Sequence, residues 1–256
     1  MRLLRFTGKS TTAVLIGIVL AAFAWSGLTV SAETLRVGSE VDYPPFEYFD
    51  ETGTAVGFDI DIVHAIGRIM GVEIEIVNAP WGEIIPRLIR DEYDLIASAM
   101  TITQERAKLV DFSEPYFTNG QIVVVRTGES GIQSAADLRD KNVAVKAGTT
   151  SVDAALELDV ANILTFAQVE EAYHSLLAGE VDAVIHDQFF VPTDPEPFAG
   201  RIRTVGEPFT LEYYGFAVKK GRTDLLQGIN DALAAIKADG TYERIHTKWF
   251  GIEPSY

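Results

Sequence analysis

The side chains of this sequence best suited to chemistry at a shared site are Glu40, Arg106, Lys146 and Asp187. Each stands at or just beyond the end of a short apolar run. Hydroxyls stand near them at Thr101, Thr149 and Thr150, and aromatic faces at Tyr43 and Trp81. A separated cation and anion with apolar walls between them suit a zwitterion. Burying an ammonium and a carboxylate is costly unless each meets an opposite charge and hydrogen bonds. Arginine matches a carboxylate bidentately. A helix beginning at Gly148-Thr149-Thr150-Ser151 would add backbone N–H groups to the same oxygens. Each residue also has a plainer role open to it. Arg106 sits in a charged first turn, Asp187 could cap a helix, Trp81 could be core, and Glu40 and Lys146 could be surface charges.

Other chemistries are poorly served. His64, His174, His186 and His246 are scattered, without metal-ligand spacing. Asp59-x-Asp61 fails as a calcium loop, because the position that needs glycine is His64. There is no Gly-x-Ser-x-Gly elbow and no Gly-x-Gly-x-x-Gly loop. Gly8-Lys9-Ser10-Thr11 mimics the end of a phosphate loop, but Leu3 stands where its first glycine belongs. The sequence has no cysteine, which excludes disulfides, thiolate metal sites and cysteine nucleophiles. Neither a metal nor a cofactor is expected.

The elements that must position these residues alternate between strand and helix signals. Residues 35–38 read as a strand and 57–70 as a helix, with Ile62, Val63, Ile66, Ile69 and Met70 at helical spacing. Asp59 and Asp61 fall in its first turn, where carboxylates favour the helix dipole. A strand over 72–77, a helix over 80–90 with Pro86 inside it, and a strand over 94–98 follow. The second half repeats the order: strand 142–146, helix 151–158, strand 162–166, helix 169–178, strand 182–186. Two βαβαβ units imply two α/β lobes with largely parallel sheets. The apolar runs Gln121 to Arg126 and Tyr214 to Val218 read as crossover strands between the lobes. Helices over 224–237 and 241–249 would then return to the first lobe. Ligands of open α/β sheets bind at the carboxyl ends of strands. Here those ends are Ser39-Glu40, Ser98 to Thr101, Ala147 to Ser151 and His186-Asp187, and facing lobes would line one cleft with them.

The first 32 residues read as an address. Arg2, Arg5 and Lys9 precede an unbroken apolar run from Ala13 to Trp25, and Val30-Ser31-Ala32 offers a cleavage site. The run is shorter than the roughly 20 apolar residues of a spanning helix, so a cleaved secretory signal is expected. Cleavage after Ala32 leaves a chain with a formal charge of −19. Such a chain repels phosphates, so nucleic acid is not an expected partner. At 256 residues, with 47% hydrophobic and 23% charged residues, the sequence is ordinary for a globular protein.

Several motifs in order resemble one family. They are Val37-Gly38-Ser39-Glu40 with Tyr43-Pro44-Pro45-Phe46-Glu47, Gly57-Phe58-Asp59-Ile60-Asp61, Trp81 to Leu88, Met100-Thr101-Ile102-Thr103 with Glu105-Arg106, Asp111 to Tyr116, Val145 to Ser151, and His186-Asp187. From Leu35 to Gly251 the chain resembles the periplasmic polar amino-acid-binding proteins of bacterial ABC importers. The resemblance implies a two-lobed, flytrap-like type II periplasmic-binding fold. One lobe would comprise residues 33–120 and 215–256 and the other 121–214, with hinge strands near 121–126 and 209–218. It implies that Arg106 holds a ligand α-carboxylate, helped by the backbone at Thr101 and at Thr149 or Thr150. Asp187 would hold the α-ammonium, helped by the Ala99 carbonyl and the Thr101 hydroxyl. Tyr43 and Trp81 would sandwich the ligand side chain. Glu40 stands where members often carry aspartate, and Lys146 matches the lysine of glutamine-binding members. Phe189 and Phe190 match no role.

The resemblance therefore implies a monomeric periplasmic receptor that delivers a polar amino acid to a membrane permease. Glu40 and Lys146 together suit a neutral amide, which puts glutamine first, a basic amino acid second and an acidic one third. An enzyme of the same fold, such as a dehydratase, would need an acid or base not tied to the zwitterion, and only Glu40 and Lys146 are free for that. A ligand sensor for a membrane receptor is the other alternative.

Overall fold

The structure is a computed structural model and describes residues 33–254; the expected signal segment lies outside the described residues. In chain order, β1 (Thr34–Ser39) leads into a short antiparallel sheet of β2 (Asp42–Tyr43), β3 (Glu47–Phe49) and β4 (Ala55–Val56). Then come α1 (Phe58–Met70), β5 (Glu73–Asn78), α2 (Trp81–Ile89), β6 (Leu95–Ile96), α3 (Gln104–Ala107), β7 (Val110–Phe112) and β8 (Phe117–Asn119). The second series is β9 (Gln121–Arg126), β10 (Asn142–Lys146), α4 (Thr150–Glu157), β11 (Asn162–Phe166), α5 (Val169–Ala178), β12 (Ala183–Asp187) and β13 (Ile202–Val205). The chain closes with β14 (Glu212–Tyr214), β15 (Ala217–Lys219), α6 (Thr223–Ala238) and α7 (Thr241–Phe250).

Each βαβαβ unit builds the centre of one sheet. The first sheet runs β5-β1-β6-β15-β7 and the second β11-β10-β12-β9-β13, each with five strands. Within each, the unit's own strands are parallel, and the fourth strand is antiparallel to them. That fourth strand is β9 in the second sheet and β15 in the first. The runs expected to cross between lobes are therefore sheet members. One step earlier in the chain in each case lie β8 and β14. These pair antiparallel, Phe117 with Tyr214 and Asn119 with Glu212. Each is three residues long and reads as polar and aromatic, not as an apolar strand.

The cores follow from the periodicity. On one face of the first sheet, Ile62, Val63 and Ile66 of α1 pack with Ile229 and Leu233 of α6 and Tyr242 of α7. The C-terminal helices thus return to the first lobe. Ile69, though at helical spacing, is half exposed at 51%. On the other face, Ile84 and Leu88 of α2 meet Tyr93 and Val110. In the second lobe, α5 covers one sheet face through Tyr173 and Leu176, and Ala155 of α4 lies in the core of the other. Each lobe is thus a sheet buried on both faces.

One glycine sets the geometry needed below. Gly57 enters α1 at φ 143°, and a Cβ there would lie 2.0 Å from the Phe46 carbonyl oxygen. Its absence lets the helix start against β3, where Phe58 and Asp59 donate their N–H groups to the carbonyls of Pro45 and Phe46, each at 2.9 Å. Among the described residues no helix is long and apolar enough to cross a membrane.

Candidate functional site

The carboxyl ends of the parallel strands meet in a cavity between the lobes. It is lined by Glu40, Tyr43, Trp81, Ala99, Thr101, Arg106, Lys146, Thr149, Thr150 and Asp187, the whole set expected from the sequence, joined by Glu47 and Ser98. Glu40 follows β1, Ala99 and Thr101 follow β6, Lys146 ends β10, Thr150 opens α4 and Asp187 ends β12. Arg106 comes from α3, whose N-terminus is fixed by the Thr103 hydroxyl accepting the Arg106 N–H at 3.1 Å.

Arg106 and Asp187 carry opposite charges without a charged partner of their own. The Arg106 guanidinium donates to the Thr101 carbonyl at 2.8 Å and the Gly148 carbonyl at 3.2 Å, and lies 5.0 Å from the Trp81 ring centre. Among the described residues no carboxylate pairs with it. Burial lowers its pKa, and the fields of Asp187 and Glu212 oppose that shift. Asp187 accepts from the Tyr214 hydroxyl at 2.5 Å, the Gln121 side-chain amide at 2.5 Å and the Tyr43 hydroxyl at 3.0 Å. All three donors are neutral, so the carboxylate is well solvated while its charge stays unpaired. Burial and the Asp187 charge together raise both tyrosine hydroxyls well above their ordinary pKa, so they remain donors.

Glu40 and Lys146, expected to be free, pair with each other across the cleft. Both are buried. Glu40 also accepts from the Trp81 N–H at 3.3 Å, and Lys146 donates to Gln168 at 3.2 Å. Thr149 turns its hydroxyl back to the Lys146 carbonyl, 2.8 Å away, so it offers backbone to the cavity. The Gly148 carbonyl receives the Trp81 indole N–H at 2.9 Å from the opposite lobe. The cleft is therefore closed, with several hydrogen bonds running directly between its walls.

Some residues of the site escaped the sequence reading. Glu212 of β14 accepts from Thr101 at 2.9 Å, Thr150 at 2.8 Å and Thr210 at 3.1 Å, and so joins both walls to the crossover. Buried Gln121 accepts from Ser151 at 2.7 Å while donating to Asp187, which ties α4 to the end of β12. Ser98, already among the strand ends expected to line the cleft, donates to Glu47 at 2.9 Å and accepts the Glu40 N–H at 3.0 Å. The Phe189-Phe190 pair has a packing role. Phe190 lies 4.8 Å from the Tyr43 ring, and Phe189 inserts between Phe117 and Phe250 at 5.3 and 5.2 Å. Among the described residues no cluster of histidine and acidic groups fits a metal ion.

The geometry meets a family pattern at this point. The model of the bacterial extracellular solute-binding proteins, family 3, matches residues 35–252. The chain belongs to this family. Relatives include the L-cystine-binding protein TcyJ of Escherichia coli strain K12, 31% identical over 252 residues, which span 96% of this chain and 94% of TcyJ. The glutamine-binding protein GlnH of Bacillus subtilis strain 168 is 37% identical over 212 residues, 80% of this chain and 76% of GlnH. Among solved structures, an ancestral arginine-binding protein bound to arginine superposes with a TM-score of 0.80 at 42% identity, covering 86% of this chain and all of that one. An ancestral arginine-binding protein bound to glutamine superposes with a TM-score of 0.78 at 42% identity, covering 86% of this chain and 98% of that one. These likenesses agree with the two-lobed type II fold seen here.

Proposed function

We propose that the protein captures a polar L-amino acid in the interlobe cleft and delivers it to an ABC-type permease. The observation that carries this reading is the unpaired guanidinium of Arg106 and the unpaired carboxylate of Asp187 lining one closed cavity. A zwitterion supplies both missing charges at once. The ligand carboxylate takes Arg106 and the backbone N–H groups at the start of α4. The ammonium takes Asp187, the Ala99 carbonyl and Thr101. Because the Thr101 hydroxyl donates to Glu212, its lone pairs remain for an ammonium donor. Tyr43 and Trp81 flank the side chain.

The distal group is read by Glu40 and Lys146. A carboxylate and an ammonium already in contact suit a neutral amide that accepts from one and donates to the other. This keeps glutamine first and a basic amino acid second, in line with the relatives that bind glutamine and arginine. The mutual pairing of Glu40 and Lys146 also leaves neither free as a general acid or base, which favours binding over catalysis. We assign residues 33–120 with 215–256 to one lobe, 121–214 to the other, and residues 1–32 to a signal peptide cleaved after Ala32. The mature receptor is a periplasmic monomer.

The test is a thermal-shift screen against the twenty amino acids, followed by calorimetry. At about 100 Kd a ligand adds about 2.7 kcal/mol of stability, and glutamine should give the largest shift. Arg106→Ala and Asp187→Ala each strand a buried charge, which costs about 3–5 kcal/mol and more than a hundredfold in affinity. Near-native affinity in either variant, or no shift with any amino acid, sinks the reading.

A further inference from the structure

The two acids of Gly57-Phe58-Asp59-Ile60-Asp61 occupy very different places. Asp61 faces outward and accepts from Lys248 and from the Trp249 indole, at 2.6 and 2.8 Å. That is the solvated first-turn acid the helix dipole favours. Asp59 is fully buried. It does not cap its own helix, which has no side-chain cap. One oxygen, Oδ2, instead accepts from the Ala99 N–H at 2.8 Å and from the Tyr116 hydroxyl at 2.6 Å. The other, Oδ1, is buried without a hydrogen-bond partner among the described residues. Burying a carboxylate so incompletely satisfied is costly, so the contacts it does make need a reason.

Ala99 supplies one. It lines the cleft, and its φ is +43°, in the left-handed region that L side chains rarely adopt. A non-glycine residue persists there only where its surroundings hold it. The group on its N–H is Asp59, and a bond to a carboxylate is stronger than one to a neutral acceptor. The second contact reaches Tyr116, which immediately precedes hinge strand β8. Tyr116 is held flat against Phe216, with ring centres 4.1 Å apart. Its N–H donates to the Tyr214 carbonyl at 3.0 Å, on the partner hinge strand. One carboxylate thus connects a strained residue of the cleft wall to the foot of the hinge.

We infer that Asp59 is the positioning residue of the ammonium subsite: it holds residue 99 in the left-handed conformation that turns its carbonyl to the ligand, and anchors that conformation to the hinge through Tyr116. The inference rests on the amino-acid reading only for the ligand; the hold itself is a property of the free protein. The carboxyl of Asp59 is pushed up to about 7 by burial, against the pull of its two donors. The groups facing it are Tyr116 and, beyond it, Tyr242 of α7. On the β3 side lies Glu47, itself raised well above its ordinary pKa by burial and by Asp59, with Glu40 and Lys146 on its far side. His246 of α7 packs on the ring of neighbouring Phe58. Protonation leaves Asp59 a weaker acceptor, so the hold on Ala99 loosens as pH falls through about 7.

Two measurements on the full chain test this. In the free protein, the Ala99 amide proton is followed by NMR from pH 5 to 9. Its shift should titrate with a midpoint near 7, should still titrate in Glu47→Gln, and should be flat in Asp59→Asn. An amide that does not titrate in the wild type, or titrates unchanged in Asp59→Asn, overturns the inference whatever the protein binds. Affinities for L-glutamine and L-arginine are then measured by calorimetry. Asp59→Asn should bind about tenfold more weakly, and a second change, Ala99→Gly, should recover most of the loss, because glycine adopts a positive φ without being held. A double variant no tighter than Asp59→Asn, when that variant melts like the wild type, also overturns it. If neither amino acid binds the wild type, the transport reading fails, and the amide titration alone decides the role of Asp59.

Discussion

Tyr43 donates its hydroxyl to Asp187, 3.0 Å away on the facing wall of the cleft. As an aromatic wall alone, Tyr43 would tolerate loss of the hydroxyl at little cost. As a donor to Asp187, the charge proposed to take the ligand ammonium, it makes a bond across the closed cleft. Tyr43→Phe is therefore expected to cost about 1–2 kcal/mol of binding, about five- to thirtyfold. Calorimetry on the variant checks this, and an unchanged affinity returns Tyr43 to a packing role.

The Glu40–Lys146 pair is buried on both sides. Removing one member strands the other, whereas replacing both with uncharged residues of similar size removes the problem. Lys146→Met and Glu40→Gln should each destabilise the protein by about 3–5 kcal/mol, and the double variant should recover most of that. Urea unfolding of the four proteins measures the coupling. Additive losses would mean that the two side chains do not meet in solution. The double variant should also show a weaker preference for glutamine over other amino acids, because no charged pair then meets the distal amide.

Glu212 ties Thr101 and Thr150 together from the crossover. Those bonds favour the closed arrangement even without a ligand. In Glu212→Ala the free protein should open, and its radius of gyration by small-angle scattering should exceed that of the free wild type. Saturating ligand should bring the two radii together, since a bound zwitterion completes its contacts only in the closed form. Equal radii in the free state would show that Glu212 serves the local fold of β14 and not closure.

His186 gives a pH dependence with a definite sign. It is buried, bonded to the Tyr173 hydroxyl at 2.5 Å and the Asp187 carbonyl at 2.8 Å, and burial lowers it from 6.5 to about 4. The unfolded chain takes up this proton below pH 6.5, and the folded chain does so only near 4. The stabilising contribution is thus complete above 6.5 and lost as pH falls toward 4, by about 3 kcal/mol. His186→Gln should flatten that part of the curve. Thermal melts between pH 4 and 8 on both proteins test it, and parallel curves would assign the acid sensitivity to other groups.

What the sequence made legible followed from its strongest periodicities. Both βαβαβ units show clear apolar spacing, so the strand ends and the charged residues on them could be placed together. The pairing of β8 with β14 could not. Phe117-Thr118-Asn119 and Glu212-Tyr213-Tyr214 lack an apolar run, while β9 and β15 beside them have one, so the apolar neighbours drew the reading. Glu212 and Gln121 were hidden for a related reason: a polar residue in a short strand reads as solvated unless its distant partners, here Thr150 and Ser151, are known. Asp59 sat within a recognised motif, yet helix position alone could not separate it from Asp61, since burial is decided by what packs over the helix start.

The strand order of the first sheet has a consequence for how the molecule is built. β15, residues 217–219, lies between β6 and β7. A chain emerging from the ribosome up to about residue 210 already holds every strand of the second sheet. It still lacks an interior strand of the first, along with α6 and α7, which pack beside α1 on one face of that sheet. The lobe begun first is therefore the lobe finished last. Until its final fifth appears, β6 and β7 present open edges that nothing but the chain's own C-terminal segment is shaped to fill.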